Sequence, residues 1–139
     1  YNNDKVLYIS SHQYPHYPGT GRAEERGVDN GEGFTLNVPV AAGTGDDEYV
    51  RAFDEQWLPA MEDFKPEFVI VSAGFDAHVR DPLSATQVTE SGFEEMTKCV
   101  QAVANDHANG RLISVLEGGY DLVGLSHSVE AHLKTLLES

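Results

Sequence analysis

Hydrophobic residues in this chain follow two alternating rhythms. Four short runs read as β-strands: residues 5–11 (KVLYISS), 35–40 (TLNVPV), 68–73 (FVIVSA) and 112–117 (LISVLE). The last two are nearly continuous apolar runs, the pattern of parallel strands covered on both faces. The helical rhythm lies between them. Tyr49, Val50, Phe53, Trp57, Met61 and Phe64 recur at three- and four-residue steps behind Asp46 and Asp47, which are placed to cap a helix. Pro59 falls inside this stripe and should kink the helix or end its first part. A second stripe, Phe93, Met96, Val100 and Val103, starts behind Thr89 and has Gly110 just past its end. A third, Leu122, Leu125, Val129, Leu133 and Leu136, starts after Asp121. Strand followed by helix, three times over, predicts an α/β fold with a parallel sheet and right-handed crossovers.

Residues 14–33 break the pattern. They are rich in glycine, proline and charge, with no apolar period. A loop that long inside a compact domain is usually functional or disordered. Tyr14 and Tyr17 beside Pro15 and Pro18 point to a shaped loop.

Composition narrows the possible partners. The 139 residues suit one domain, residues 1–139, with no repeat, low-complexity tract or linker. Nine basic against 23 acidic residues give a net charge of −14, which repels phosphate backbones and anionic lipid. Direct nucleic-acid binding and membrane association are therefore not expected. No apolar run is long enough to span a bilayer. One cysteine, Cys99, excludes an internal disulfide and fits a reducing, cytoplasmic setting. The N-terminus, Tyr1-Asn2-Asn3-Asp4, does not read as a signal peptide and leads almost at once into a strand, as in a chain cut from something longer.

In parallel sheets, ligands bind beyond the carboxyl ends of the strands. Two such ends are informative here. Gly74-Phe75-Asp76 places a carboxylate one short turn past a buried strand, where it could serve a metal or merely a turn. Gly118-Gly119-Tyr120 opens a helix with two residues lacking side chains, allowing close approach to the backbone under the phenol of Tyr120. The plainer account is a flexible turn with a tyrosine packed on the sheet edge.

Taken together, these segments resemble one family. SAGFDAHVRDPLS (residues 72–84) and LEGGYDL (116–122) resemble the two late motifs of the zinc-dependent histone deacetylase family. VLYISSHQYPHYPGTG (6–21) and GFTLNVPV (33–40) resemble two further family segments, in the right order and spacing. The resemblance implies the C-terminal part of a three-layer α/β/α arginase/deacetylase-type domain with an eight-stranded parallel sheet. The strand carrying the family's Asp-x-His would lie between the strands at 68–73 and 5–11, so this chain alone should form two strand pairs. Open edges would make it marginal or self-associating, a homo-oligomer.

The resemblance also assigns roles. The family holds zinc with two aspartates and a histidine; Asp76 matches the second aspartate, and the other two ligands would lie upstream of Tyr1. His78 receives no metal role. Tyr120 matches the catalytic tyrosine that stabilises the oxyanion. Gly118 and Gly119 match glycines lining the acyl-lysine tunnel, and Tyr17 matches an aromatic tunnel wall more often phenylalanine. Leu83 matches a rim residue; polyamine-specific relatives tend to have glutamate there, so leucine leans toward acetyl-lysine or another acyl-amine. Ser10 and the backbone of Ser11 match one structural potassium site, and Asn3, Val6 and Phe34 match backbone positions of another. For Ser10 a strand-end serine satisfying local hydrogen bonds is an equal reading. The implied function is zinc-dependent removal of acetyl or similar acyl groups from lysine side chains or related amines, by a longer parent. A non-catalytic remnant of the same fold is the alternative. An arginase-type hydrolase fits less well, because its two-metal cluster needs further aspartates.

Overall fold

The computed structural model describes residues 1–138 and divides into two compact units, Tyr1–Ala42 and the chain from Gly43 onward. In the first, β1 (Tyr8–Gln13) pairs in parallel with β2 (Thr35–Val40), with Tyr8 opposite Thr35 and Gln13 opposite Val40. β1 thus begins and ends later than the sequence pattern suggested, because its N-terminal residues do not join the ladder.

The connecting loop is shaped by its own side chains. His12 sits between the Ser10 hydroxyl (2.9 Å from Nδ1) and the Gly21 carbonyl (2.8 Å from Nε2). A carbonyl can only accept, so Nε2 carries the proton, and in the neutral ring Nδ1 accepts from Ser10. The Glu25 carboxylate accepts the N–H groups of Gly21 (3.1 Å) and Arg22 (3.2 Å), which holds its pKa below the usual range. Arg22 Nε donates to the Tyr14 hydroxyl at 2.9 Å, and Asn37 Nδ2 donates to the Glu25 carbonyl at 2.9 Å.

In the second unit, β3 (Val69–Ala73) pairs in parallel with β4 (Leu112–Leu116), with Val69 opposite Leu112 and Ala73 opposite Leu116. The described strands therefore form two separate two-stranded sheets, as expected of this stretch. One face of the β3–β4 pair joins a core of Phe53, Val69, Val100, Ala104 and Ala108, with Trp57, Val71, Met96, Cys99 and Leu112 packed against it. Burial there raises the Cys99 thiol pKa. The opposite face is open: Ile70 is 69% and Ile113 51% exposed, with Val115 beside them. The near-continuous apolar pattern anticipates cover on both faces, and this chain supplies one.

The first helical stripe runs on without a break. α1 (Asp46–Ala52) runs through a wider π turn (Phe53–Trp57) into α2 (Leu58–Phe64). Pro59 lies in the first turn of α2, so the π turn absorbs the missing donor where a kink or an end to the first part of the helix was expected. Across that turn Phe53 and Trp57 stack at 4.0 Å, keeping both rings on the core side. Asp46 does not cap this helix as the sequence suggested; Gly45 is its N-cap. The Asp46 carboxylate instead accepts from the Thr89 N–H (2.7 Å) and hydroxyl (2.6 Å), tying α1 to the start of α3 (Glu90–Ala108). α3 ends on left-handed Asn109 with Gly110 behind it. α4 (Leu122–Leu137) starts on Asp121, whose carboxylate accepts the Gly124 N–H at 2.7 Å.

A buried polar relay fastens α4 to its neighbours. His132 lies between the Thr97 hydroxyl of α3 (2.8 Å) and the Ser114 hydroxyl of β4 (2.8 Å), edge-on to Phe75. Burial holds its pKa below the ordinary 6.5. The unfolded chain then binds more protons than the folded one in the window below 6.5. This histidine's contribution is accordingly complete above that pH and is lost as pH falls through the depressed folded value. His132→Gln should therefore lose less unfolding free energy than the parent on acidification from pH 7 to pH 5, measured by denaturant titration at each pH.

Candidate active-site edge

Parallel pairing brings the carboxyl ends of β3 and β4 to one edge, and the pairing continues past both strands. The Glu117 N–H donates to the Ala73 carbonyl (3.0 Å) and the Phe75 N–H to the Gly118 carbonyl (2.8 Å). Asp76 and Gly118 consequently meet. A Cβ added at Gly118 would lie 2.6 Å from the Asp76 Cγ, and one at Gly74 would lie 3.0 Å from Oδ1. The Asp76 carboxylate therefore rests in a cradle that only glycine leaves open. Gly119 adopts φ +139°, and a Cβ there would come within 2.8 Å of Leu125. Spacing alone suggested that these glycines admit a substrate; within this chain their immediate role is to admit Asp76 and the first turn of α4.

Around Asp76 the loop is fixed by hydroxyls. Ser84 Oγ donates to the Asp76 carbonyl, and Thr86 Oγ1 donates to the Ala77 carbonyl at 3.0 Å. Tyr49, assigned only to a helical core stripe by its spacing, faces this region from α1. Burial pushes its phenol up to about 12, the Thr86 hydrogen bond opposing and the Asp76 charge adding to the rise. It stays protonated at any physiological pH.

Asp81 is the residue that sequence reasoning passed over. Its buried carboxylate accepts the Leu83 N–H (2.9 Å) and Ser84 N–H (3.3 Å) on Oδ1, and the Tyr120 N–H (2.8 Å) on Oδ2. Beside it Arg80 Nε donates to Asp121 at 2.9 Å. The Gly124 N–H first, and Arg80 second, keep Asp121 below the usual carboxylate range. Nothing in the local sequence signals a backbone partner 39 residues away.

His78 is directed elsewhere. Its Nδ1 accepts the Arg80 N–H at 3.1 Å, so Nε2 carries the hydrogen and lies 3.5 Å from Glu90. The ring packs so closely on α4 that a Cβ at Gly124 would come within 2.5 Å of Nδ1.

Tyr120 and Leu83 are both more than half exposed, at the two ends of the Asp81 link. Ser10, Ser11 and Tyr17 belong to the first unit. Ser10 is engaged by His12, the local hydrogen bonding foreseen as one of its two readings, while Tyr17 is 91% exposed. Among the described residues no three His, Cys, Asp or Glu side chains come together to hold a metal. Asp76 fits zinc as one carboxylate ligand in a preformed cradle; it is not a complete site.

The histone deacetylase domain model matches residues 1–136. The chain belongs to the histone deacetylase family. It is 48% identical to a probable deacetylase of Archaeoglobus fulgidus over 124 residues, covering 89% of this chain and 34% of that protein. It is 46% identical to a histone deacetylase-like amidohydrolase of Pseudomonas aeruginosa, covering 86% of this chain and 32% of that protein. The crystal structure of the HDA15 HD domain superposes with a TM-score of 0.91 at 44% identity, over 99% of this chain and 39% of that one. The parallel α/β elements are thus those of a deacetylase domain, and the chain spans about a third of the length of the curated relatives it matches.

The cradle in this deacetylase-family chain makes a testable demand. Gly118→Ala drives a methyl into the Asp76 carboxylate and should cost about 1–3 kcal/mol of stability. Gly74→Ala, whose added carbon meets one oxygen at 3.0 Å, should cost less. Denaturant unfolding of both variants checks the order.

Proposed function

We propose that this chain supplies part of the active site of a zinc-dependent deacetylase that hydrolyses an N-acetyl amide on a lysine side chain or a related amine. The observation that carries the proposal is the packing of Asp76 into the Gly74–Gly118 cradle two residues before Tyr120, in a chain whose residues 1–136 match the histone deacetylase domain. Bound zinc supplies Lewis acidity and an activated water.

This chain's own residues do the rest of what it can contribute. Asp76 presents one anionic oxygen ligand whose position the loop hydroxyls fix. Tyr120, exposed at the mouth of the turn, donates its phenolic hydrogen to the amide oxygen as negative charge develops there. Leu83, also exposed, offers an apolar rim to the substrate's aliphatic stem and no charge for a distant ammonium. Gly118 and Gly119 leave the backbone free of side chains beside the acyl group. Ser10 and Ser11 would hold a structural potassium ion with donors from outside the chain. A single cysteine whose thiol is kept protonated by partial burial accords with a cytoplasmic protein.

The test uses the full-length protein that contains this chain. Tyr120→Phe should lower kcat on an acetyl-lysine peptide by about 10²–10³ with zinc content unchanged. Asp76→Ala should remove most of both zinc and activity, read by metal analysis after dialysis. Near-parental turnover by Tyr120→Phe would sink the proposed role and favour a non-catalytic module. Tight stoichiometric zinc on residues 1–139 alone would mean that the ligand set is misassigned.

A further inference from the structure

We infer that Asp81 is a positioning residue for Tyr120, and that Arg80 backs it from the solvent side; the inference rests on the catalytic reading of Tyr120. Asp81 is only 8% exposed, yet among the described residues no cationic side chain is bonded to it; its carboxylate is satisfied by three backbone N–H groups. Two of these, from Leu83 and Ser84, close its own turn, and the third comes from Tyr120 on the other strand's loop. A hydrogen bond to an ionised acceptor is about twice as strong as a neutral one, and a buried charge tolerates little movement of its donors. The Tyr120 main chain is thereby fixed to the loop that carries Asp76.

That bond is needed because the segment before Tyr120 has little stiffness of its own. Gly118 and Gly119 are both glycines, and Gly119 already sits at φ +139°. Without an anchor the Cα of residue 120 would wander, and so would a phenol that leaves the surface with 56% exposure. Arg80 adds a second tie one residue further on, through Asp121 at 2.9 Å. Adjacent loop residues thus hold adjacent turn residues, Asp81 on Tyr120 and Arg80 on Asp121. The phenol's distance from the Asp76 carboxylate is therefore set by side-chain bonds as well as by the strands. A misplacement of about 1 Å at such a donor costs on the order of 10²-fold in rate.

The experiment is a double-mutant cycle in the zinc-loaded full-length protein. Asp81→Asn is isosteric but can place an amide nitrogen where Oδ2 accepts, opposing the Tyr120 N–H. It should lower kcat by about 10- to 100-fold, with KM and zinc content unchanged. In a Tyr120→Phe background the same substitution should lower kcat less than about threefold, because the group it positions is already gone. Equal losses in both backgrounds, no loss in either, or a parallel loss of zinc would each overturn the inference. Should Asp81→Asn fail to fold, Arg80→Ala decides. It removes an exposed side chain, and its smaller kcat loss must likewise vanish in the Tyr120→Phe background. A Tyr120→Phe enzyme with parental turnover would instead remove the catalytic reading itself, an outcome visible before the cycle is read.

Discussion

Everything at the candidate site follows from the parallel pairing of β3 and β4. Two strands running the same way must end at the same edge, and here the register sets Ala73 opposite Leu116. Each chain then turns within two or three residues, one into Gly74-Phe75-Asp76 and the other into Gly118-Gly119-Tyr120. An antiparallel pair would have sent these loops to opposite ends of the sheet. The Phe75 N–H bond to the Gly118 carbonyl at 2.8 Å carries the pairing into the loops themselves. The carboxylate and the tyrosine therefore share an edge for a backbone reason, before any side chain acts.

Side chains then make that edge rigid in a way the sheet cannot. Three residues of a single loop grip the first turn of α4. His78 packs on Gly124, Arg80 pairs with Asp121, and Asp81 takes the Tyr120 N–H. The exposed Arg80 pair would be worth little by itself, because solvent screens it. The Asp81 bond is buried and leaves a charge stranded if broken, so it dominates. Glycine is required at 118 and 124 by the same closeness: Asp76 occupies the space beside one and His78 the space beside the other.

What could be read from the sequence was what local pattern encodes. Thr35–Val40 forms a strand as its β-branched run predicts, and α4 starts on Asp121, as its position before an apolar stripe predicts. The glycine-flanked motifs at residues 72–84 and 116–122 identified the family that the domain match bears out. What escaped was long-range. Asp46 looked like a cap for the helix beside it, but its carboxylate spans 43 residues to Thr89. Asp81 drew no reading of its own, yet one of its oxygens closes the turn at Leu83 and Ser84 and the other reaches Tyr120. A carboxylate accepts from whichever N–H the fold delivers, and no periodicity announces which one that is. The π turn ahead of Pro59 escaped for a related reason: proline forbids the ordinary helical bond without specifying how the helix accommodates its loss.

The two faces of the β3–β4 pair show how local that rigidity is. Ile70, Ile113 and Val115 stand in solvent on the open face. Burying three such side chains would stabilise the unit by roughly 1.5–3 kcal/mol each, so the state of that face weighs heavily on global stability. The loops at the strand ends depend on it much less. Their polar atoms are matched by partners within the same unit: the Asp76 carbonyl by Ser84, the Ala77 carbonyl by Thr86 and the Tyr120 N–H by Asp81. Hydrogen bonds are directional and fix geometry, whereas apolar burial is non-directional and mainly adds free energy. The chain thus separates the two tasks: geometry at the site edge comes from its own loops, while the open sheet face, with Ile70, Ile113 and Val115 exposed, contributes little free energy of burial.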